Sequence, residues 1–546
     1  MKIPVRSMLS MIFCLLFLST FSSAATNPSY SAQDFVKCLT RSSSSSISQV
    51  IYTSQNSTYT SVLKFSINNL RFDTPSTPKP IVIVKPVHES QIQTVIYCCK
   101  KHDIQMRIRG GGHDYEGVSY VAHVPFMLLD MINLRSIKVD PVKATAWVEA
   151  GATLGELYYR ISEKSDTLGF PAGIWSTVGV SGLVSGGGYG TLRRKYGLAA
   201  DNVLDARLID ANGRILDRKS MGEDLFWAIR GGGASSFGVI LSWKLRLVYV
   251  PKIITVFQVT RTLEQNATEV LHRWQTVAPR LPKDVELRIA ANTIWKNLPN
   301  EPQKTVQDDG SAGSVGDNKT VSVNFIGQYL GRKERLLSMM NKRFPELGLV
   351  ADSCFEVSYI QSILVFSLFS LTDSPLGLLN RTAYKIPFKA KSDYVDKPIP
   401  KEGLEGIWKI LLEQDPGRIN FLLTSYGGKM AEISESAIPF PHRAGTLYMM
   451  YMRVRTDGDT SDAMKWIRGL HKYLTPYVTN SPRTAYRNYN DFDLGVNNPH
   501  GPTSYKQASK WGRKYFKNNF DRLVIVKSIV DPHNFFRHEQ SIPPFA

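Results

Sequence analysis

The densest chemistry in the chain lies in Arg109-Gly110-Gly111-Gly112-His113-Asp114-Tyr115-Glu116-Gly117. Gly110, Gly111 and Gly112 let the backbone turn tightly and bring bare N–H groups against a ligand, which suits a diphosphate. His113 follows at once and is placed to meet whatever the loop holds. A second segment, Pro171 to Val180, carries Trp175, Thr177 and Gly179. A third, Ser185-Gly186-Gly187-Gly188-Tyr189-Gly190, is again glycine-rich. Far downstream, Leu447-Tyr448-Met449-Met450-Tyr451-Met452-Arg453 holds three methionines and no carboxylate, the makings of an adaptable apolar wall. Alternation along a strand puts Met450 and Met452 on one face and Met449 and Tyr451 on the other; which face lines a pocket stays open. Tyr486 and Tyr489 add two phenols. An unpaired tyrosine titrates near pH ~10, so it needs a cation to act as a base. Arg443 and Arg487 are the candidate cations.

The elements that must position these residues read as two kinds. Ile81 to Val84 is a buried-strand signal, Val87 to His102 has helical spacing, and Gln105 to Ile108 returns to strand just before the glycine loop. That strand–helix–strand opening argues for an α/β layer. Short strands and Gly-rich turns continue to about Val250, including two strands around Asn212-Gly213. From Ile253 to Tyr477 longer alternating strands appear (Thr320 to Leu330, Ile419 to Tyr426, Thr446 to Val454) with amphipathic helices between them. They predict an antiparallel sheet covered by helices. Gln307 to Asn318 reads as a polar loop, and Ala32 to Leu39 as a short helix. A nicotinamide-type Rossmann domain is disfavoured, because Gly186 to Gly190 does not follow a first strand with the G-x-G-x-x-G spacing.

The chain has 546 residues, more than one core usually organises, with 43% apolar and 21% charged residues. Lys2 and Arg6, the apolar run Met8 to Leu18 and the small residues Ser22 to Ala25 read as a signal peptide over residues 1–25. The run is too short for a comfortable membrane anchor. A secretory protein of the extracellular space, apoplast or vacuole is expected, with glycans at Asn56, Asn266, Asn318 and Asn380. The formal charge of +19 invites a nucleic-acid reading, but no binding motif accompanies it and the secretory route argues against it. A solvated basic surface is the simpler account. Cys38, Cys98, Cys99 and Cys354 remain after the leader; they permit two disulfides whose connectivity does not follow from sequence.

Further motifs follow in order: Tyr196 to Asn202, Gly222 to Gly233, Pro439-Phe440-Pro441-His442-Arg443-Ala444-Gly445, and Val530 to Phe536 leading to Pro544. Together they resemble the plant berberine-bridge-enzyme-like FAD-linked oxidoreductases across nearly the whole mature chain. The resemblance implies an α+β fold: a two-part FAD-binding domain of the vanillyl-alcohol-oxidase (PCMH) type over residues 26–252, a substrate domain over 253–477, and a segment over 478–546 that returns to the FAD domain. It implies FAD bound covalently through His113, with Gly110, Gly111, Gly112, Thr177, Gly179, Gly186, Gly187, Tyr189, Ile240 and Asn488 around it. It favours a Cys38–Cys98 disulfide. It implies small apolar phenolic substrates, no metal, and a monomer.

The chain departs from the family where chemistry is decided. Most members bond a cysteine of the second segment to the flavin; Trp175 stands there. Ser181 and Leu183 replace the usual Gly and His, and the strand after Pro-His-Arg-Ala-Gly lacks the usual Glu or Gln. Members of the mulberry family keep FAD as a scaffold and catalyse intermolecular Diels–Alder cycloaddition. The slightly preferred expectation is therefore a [4+2] cyclase joining a diene to a chalcone-like dienophile. Its pocket would include Trp175, Met449 and Tyr451, with Arg443 as carbonyl donor. The alternative is an FAD-dependent oxidase or oxidocyclase of a phenolic, alkaloid or sugar, in which Tyr486 or Tyr489 deprotonates substrate.

Overall fold

The computed structural model describes residues 32–43, 47–296, 318–382, 384–499 and 501–545. The expected leader, and the expected polar loop apart from Asn318, lie outside the described residues.

Helix α1 (Ala32–Ser42) is tied to α2 (Glu89–His102) by the Cys38–Cys98 disulfide. It runs past the expected end at Leu39 because the Thr40 hydroxyl donates to the Val36 and Lys37 carbonyls in its last turn. Cys99 and Cys354 are free, buried thiols. The first sheet contains β1 (Ile51–Tyr52), β2 (Val82–Val84), β3 (Gln105–Arg109) and β4 (Phe126–Asp130), in the order β1-β2-β4-β3. β4 runs parallel to both β2 and β3, and α2 makes the crossover. Val82, Ile83 and Val84 are all fully buried, as expected where both faces of a parallel layer are covered. The second sheet is antiparallel: β5 (Ile137–Asp140), β6 (Thr145–Glu149), β7 (Val203–Ile209), β8 (Ile215–Leu216) and β9 (Val239–Arg246), in the order β5-β6-β9-β7-β8. The two sheets share one core through Leu129, Val148 and Trp243. The glycine-rich stretch between β6 and β7 is threaded over it.

The third sheet has seven antiparallel strands: β10 (Ile254–Thr262), β11 (Val285–Trp295), β12 (Lys319–Tyr329), β13 (Cys354–Val357), β14 (Phe388–Val395), β15 (Ile419–Ser425) and β16 (Tyr448–Arg455). Their order is β13-β10-β12-β11-β15-β16-β14. Helices α3 (Ala267–Val277), α4 (Lys401–Leu412) and α5 (Thr460–Tyr473) cover one face, where Trp274, Ile407 and Ile467 pack with Met450 and Met452. The period of two sends Met449 and Tyr451 to the other face, among Tyr115, Tyr189, Tyr486 and Tyr489. Finally α6 (Tyr505–Phe516) and α7 (Asn519–Val530) return to the first core, burying Trp511 and Leu523 in it.

Candidate active site

β3 delivers the glycine loop, and Arg109 pins its start. The fully buried guanidinium donates to the Leu63 and Val62 carbonyls and to Asp130 Oδ2 at 2.7 Å. At Gly111 a Cβ would lie 2.3 Å from the Gly179 nitrogen and 2.8 Å from the Thr177 oxygen. At Gly112 the backbone has φ +70° and a Cβ would lie 1.8 Å from the Ser66 oxygen. The loop therefore packs backbone to backbone on the second segment. His113 Nε2 hydrogen-bonds Thr177 Oγ1 at 2.8 Å, and the Thr177 backbone also bonds the ring. Burial pulls this imidazole down to about 4, so it stays neutral at physiological pH. A neutral imidazole is the form that could act as a nucleophile toward a flavin methyl group.

The neighbouring positions complete that surface. Trp175 lies half-buried in the same segment as Thr177 and Gly179. A Cβ on Gly186 would meet Asn488 Oδ1 at 1.9 Å, and Asn488 Nδ2 donates to the Leu183 carbonyl and to Tyr486 Oη, each at 2.9 Å. Gly187 has φ +116° and backs onto Phe440. Ile240 is buried on β9, opposite Leu208.

Facing the loop is a cluster of phenols. Tyr189 and Tyr489 share a hydrogen bond between their hydroxyls. Tyr115 stacks on Tyr489 with ring centroids 5.0 Å apart, and Tyr451 lies 4.7 Å from Tyr489. Tyr486 Oη accepts the Gly188 N–H at 3.0 Å. Burial pushes the Tyr115, Tyr189, Tyr486 and Tyr489 hydroxyls up, so all are neutral at physiological pH. A buried ion network holds the two backbones that carry Tyr115 and Tyr489. Lys389 Nζ binds Glu116 and, at 2.6 Å, Asp491; Lys391 binds Asp491 at 2.7 Å; Arg71 binds Glu116 at 2.5 Å.

The third sheet supplies the opposite wall in rows. In register, Arg288 on β11 meets Thr424 on β15, which meets Met449 on β16. The next row is Ala290, Leu422 and Tyr451. Arg288 makes no hydrogen bond or ion pair among the described residues; its guanidinium sits 4.9 Å from the Phe366 ring and its buried Nε has no partner. Burial lowers its pKa; Glu286 opposes that most strongly, and Tyr189 and Tyr489 are near enough to act on its charge as well. Glu286, on the same face of β11, is held by Arg193 at 2.8 Å. Arg443 stands differently. Its guanidinium is fully buried and takes Asp201 with both terminal nitrogens, at 2.9 and 2.7 Å. Arg487 lies 5.7 Å from the Tyr515 ring. Tyr115, Glu116, Arg288 and Lys389 escaped sequence reasoning. Their one signal was a charged or aromatic residue breaking an otherwise apolar or glycine run.

Two known domain patterns match the segments that carry this site. The FAD binding domain pattern covers residues 80–218, and the berberine and berberine-like pattern covers residues 485–543. The chain is 47% identical to berberine bridge enzyme-like 8 of Arabidopsis thaliana over 97% of its own length and 99% of the relative's.

It belongs to the berberine bridge enzyme-like family of FAD-dependent oxidoreductases.

Tetrahydroberberine oxidase of Berberis wilsoniae is 48% identical, with 96% of each chain covered. The solved structure of BBE-like 28 of Arabidopsis thaliana superposes with a TM-score of 0.85 at 46% identity, covering 94% of this chain and all of that one. Membership in this BBE-like family makes the protein an FAD-containing enzyme. No helix among the described residues is long and apolar enough to cross a membrane.

Proposed function

We propose that this BBE-like enzyme oxidises a small apolar phenolic seated between the tyrosine cluster and the Met449–Tyr451 wall, using FAD held covalently by His113 alone. The observation that carries the reading is Arg288, a cation in no direct ion pair among the described residues, with Glu286 and a hydrogen-bonded pair of phenols near enough to act on its charge. Burial alone leaves Tyr189 and Tyr489 unable to accept a proton near neutral pH. A cation beside them stabilises the phenolate and makes the pair a base. This pair would take one substrate proton, leaving a hydride for the bound acceptor to take up, with dioxygen as the terminal oxidant. FAD supplies the two-electron acceptor when bound. Tyr115 and Tyr451 pack the substrate ring, and Asn488 braces the Leu183–Gly188 backbone. Arg443 is assigned to holding Asp201 and the turn before β16, not to donating to substrate. The name of the Berberis relative supports an oxidase.

Anaerobic mixing with candidate phenolics tests this reading. The flavin absorbance is expected to bleach within one turnover time, and a flavin that stays oxidised while product forms overturns it. A second reading, [4+2] cycloaddition with FAD as scaffold, is favoured by Trp175 at the cysteine position and by β16 without a carboxylate. Arg288 would then donate to the dienophile carbonyl. Product formed without oxygen uptake would establish it. Asn56, Asn266, Asn318 and Asn380 are all exposed, which supports glycosylation in a secretory, monomeric protein.

A further inference from the structure

The outer end of the sheet wall carries a second arginine in no direct ion pair among the described residues. Arg453 lies four residues beyond Met449 on β16 and so shares its face, about 13 Å along the strand. Its row holds Asn420 on β15 and Ala390 on β14, and no acid. Its Nε is buried without a partner, and its guanidinium stands 5.9 Å from the Phe388 ring. The Asn420 amide oxygen beside it also lacks a partner. The fully buried arginines are held otherwise, Arg194 by the Tyr426 and Leu281 carbonyls. Arg107, Arg109, Arg193 and Arg443 each have a carboxylate within 2.8 Å. A partly buried guanidinium with its Nε unpartnered against an aromatic ring is completed by an anion.

We propose that Arg453 is the subsite for a carboxylate carried by the aromatic substrate, at the end of the pocket opposite Arg288. The proposal rests on the reading of this wall as the substrate site, and it names the substrate class as aromatic acids. Phe388 and Tyr115, in edge-to-face contact at 5.1 Å, pack the carbon frame beside the charge. Asn420 adds an amide N–H to the same group.

The test is the affinity of the holoenzyme for 4-hydroxycinnamate against its methyl ester, read by protein fluorescence quenching. The wild type is expected to prefer the acid by about 10-fold, since truncating a partner of a desolvated charge pair costs at least that much. R453M should lose the preference while holding the ester within about two-fold, and R453K should keep part of it. Equal affinities in the wild type, a preference that survives in R453M, or no binding of either probe overturns the assignment. Flavin bleaching is recorded in the same cuvette. A flavin unchanged by both probes counts against oxidation, and the affinity ratio still decides the subsite.

Discussion

On the glycine side of the cleft the functional surface is backbone; on the sheet side it is side chain. Gly111 and Gly112 leave no room for a Cβ because Gly179 and Ser66 backbones press against them. On the sheet, Arg288, Met449, Tyr451 and Arg453 stand on a frame whose register would be the same with other residues. One wall cannot change without losing the cofactor bed; the other can change its chemistry residue by residue. That difference explains how a family keeps one prosthetic group and varies its reactions.

The contrast is broken most severely at Gly112. Gly112→Ala forces a positive φ on alanine and drives its Cβ into the Ser66 carbonyl. The expected loss exceeds about 4 kcal/mol, read as a collapse in the yield of soluble yellow protein. A variant that folds and carries flavin would show that the loop can move away from Ser66.

The two arginines sharpen the comparison next. Arg443→Met leaves Asp201 buried without its partner, so Tm falls by the equivalent of about 3–5 kcal/mol while substrate affinity in the surviving holoenzyme holds. Arg288→Met should do the reverse. Its kcat drops about 100-fold and the acidic limb of the pH profile, where the base must lose its proton, moves up, with Tm little changed. If Arg443→Met lowers kcat and keeps Tm, the roles are exchanged.

The smallest effect lies on the helix-covered face of the same sheet. Burial pulls His471 down to about 3, with Arg483 adding repulsion, although Asp393 stands 3.7 Å away. An unfolded imidazole titrates near ~6.5, so the folded state binds fewer protons between these values. Stability is therefore lost as pH falls from ~6.5 toward 3. His471→Gln should remove part of that loss, roughly 2 kcal/mol by about pH 4.5. Urea unfolding at two pH values checks it, and an unchanged pH slope would clear His471 of the effect.

Much of this molecule is legible in the chain. The strand–helix–strand opening, the glycine loop and the long alternating strands are local patterns with local causes, and the strand ends fall within two residues of expectation. The alternation at Met449 to Met452 showed that two faces exist, but α3 to α5 decide which face is core. Arg443 and Arg288 look alike as letters. Asp201 lies 242 residues from Arg443, and that distant partner is what supports a structural role for it. Arg288 was overlooked because a charged residue in a strand is ordinary until its neighbours are known.

By itself the sequence determined the backbone chemistry: where glycine must sit, where a histidine meets a diphosphate loop, and which strands alternate. These depend on φ/ψ and on a period of two, which neighbouring residues settle among themselves. Only the tertiary structure decided which charges are paired. Pairing joins β3 to Glu539 and β14 to Asp491 across 432 and 102 residues, and burial sets the cost of every charge left over.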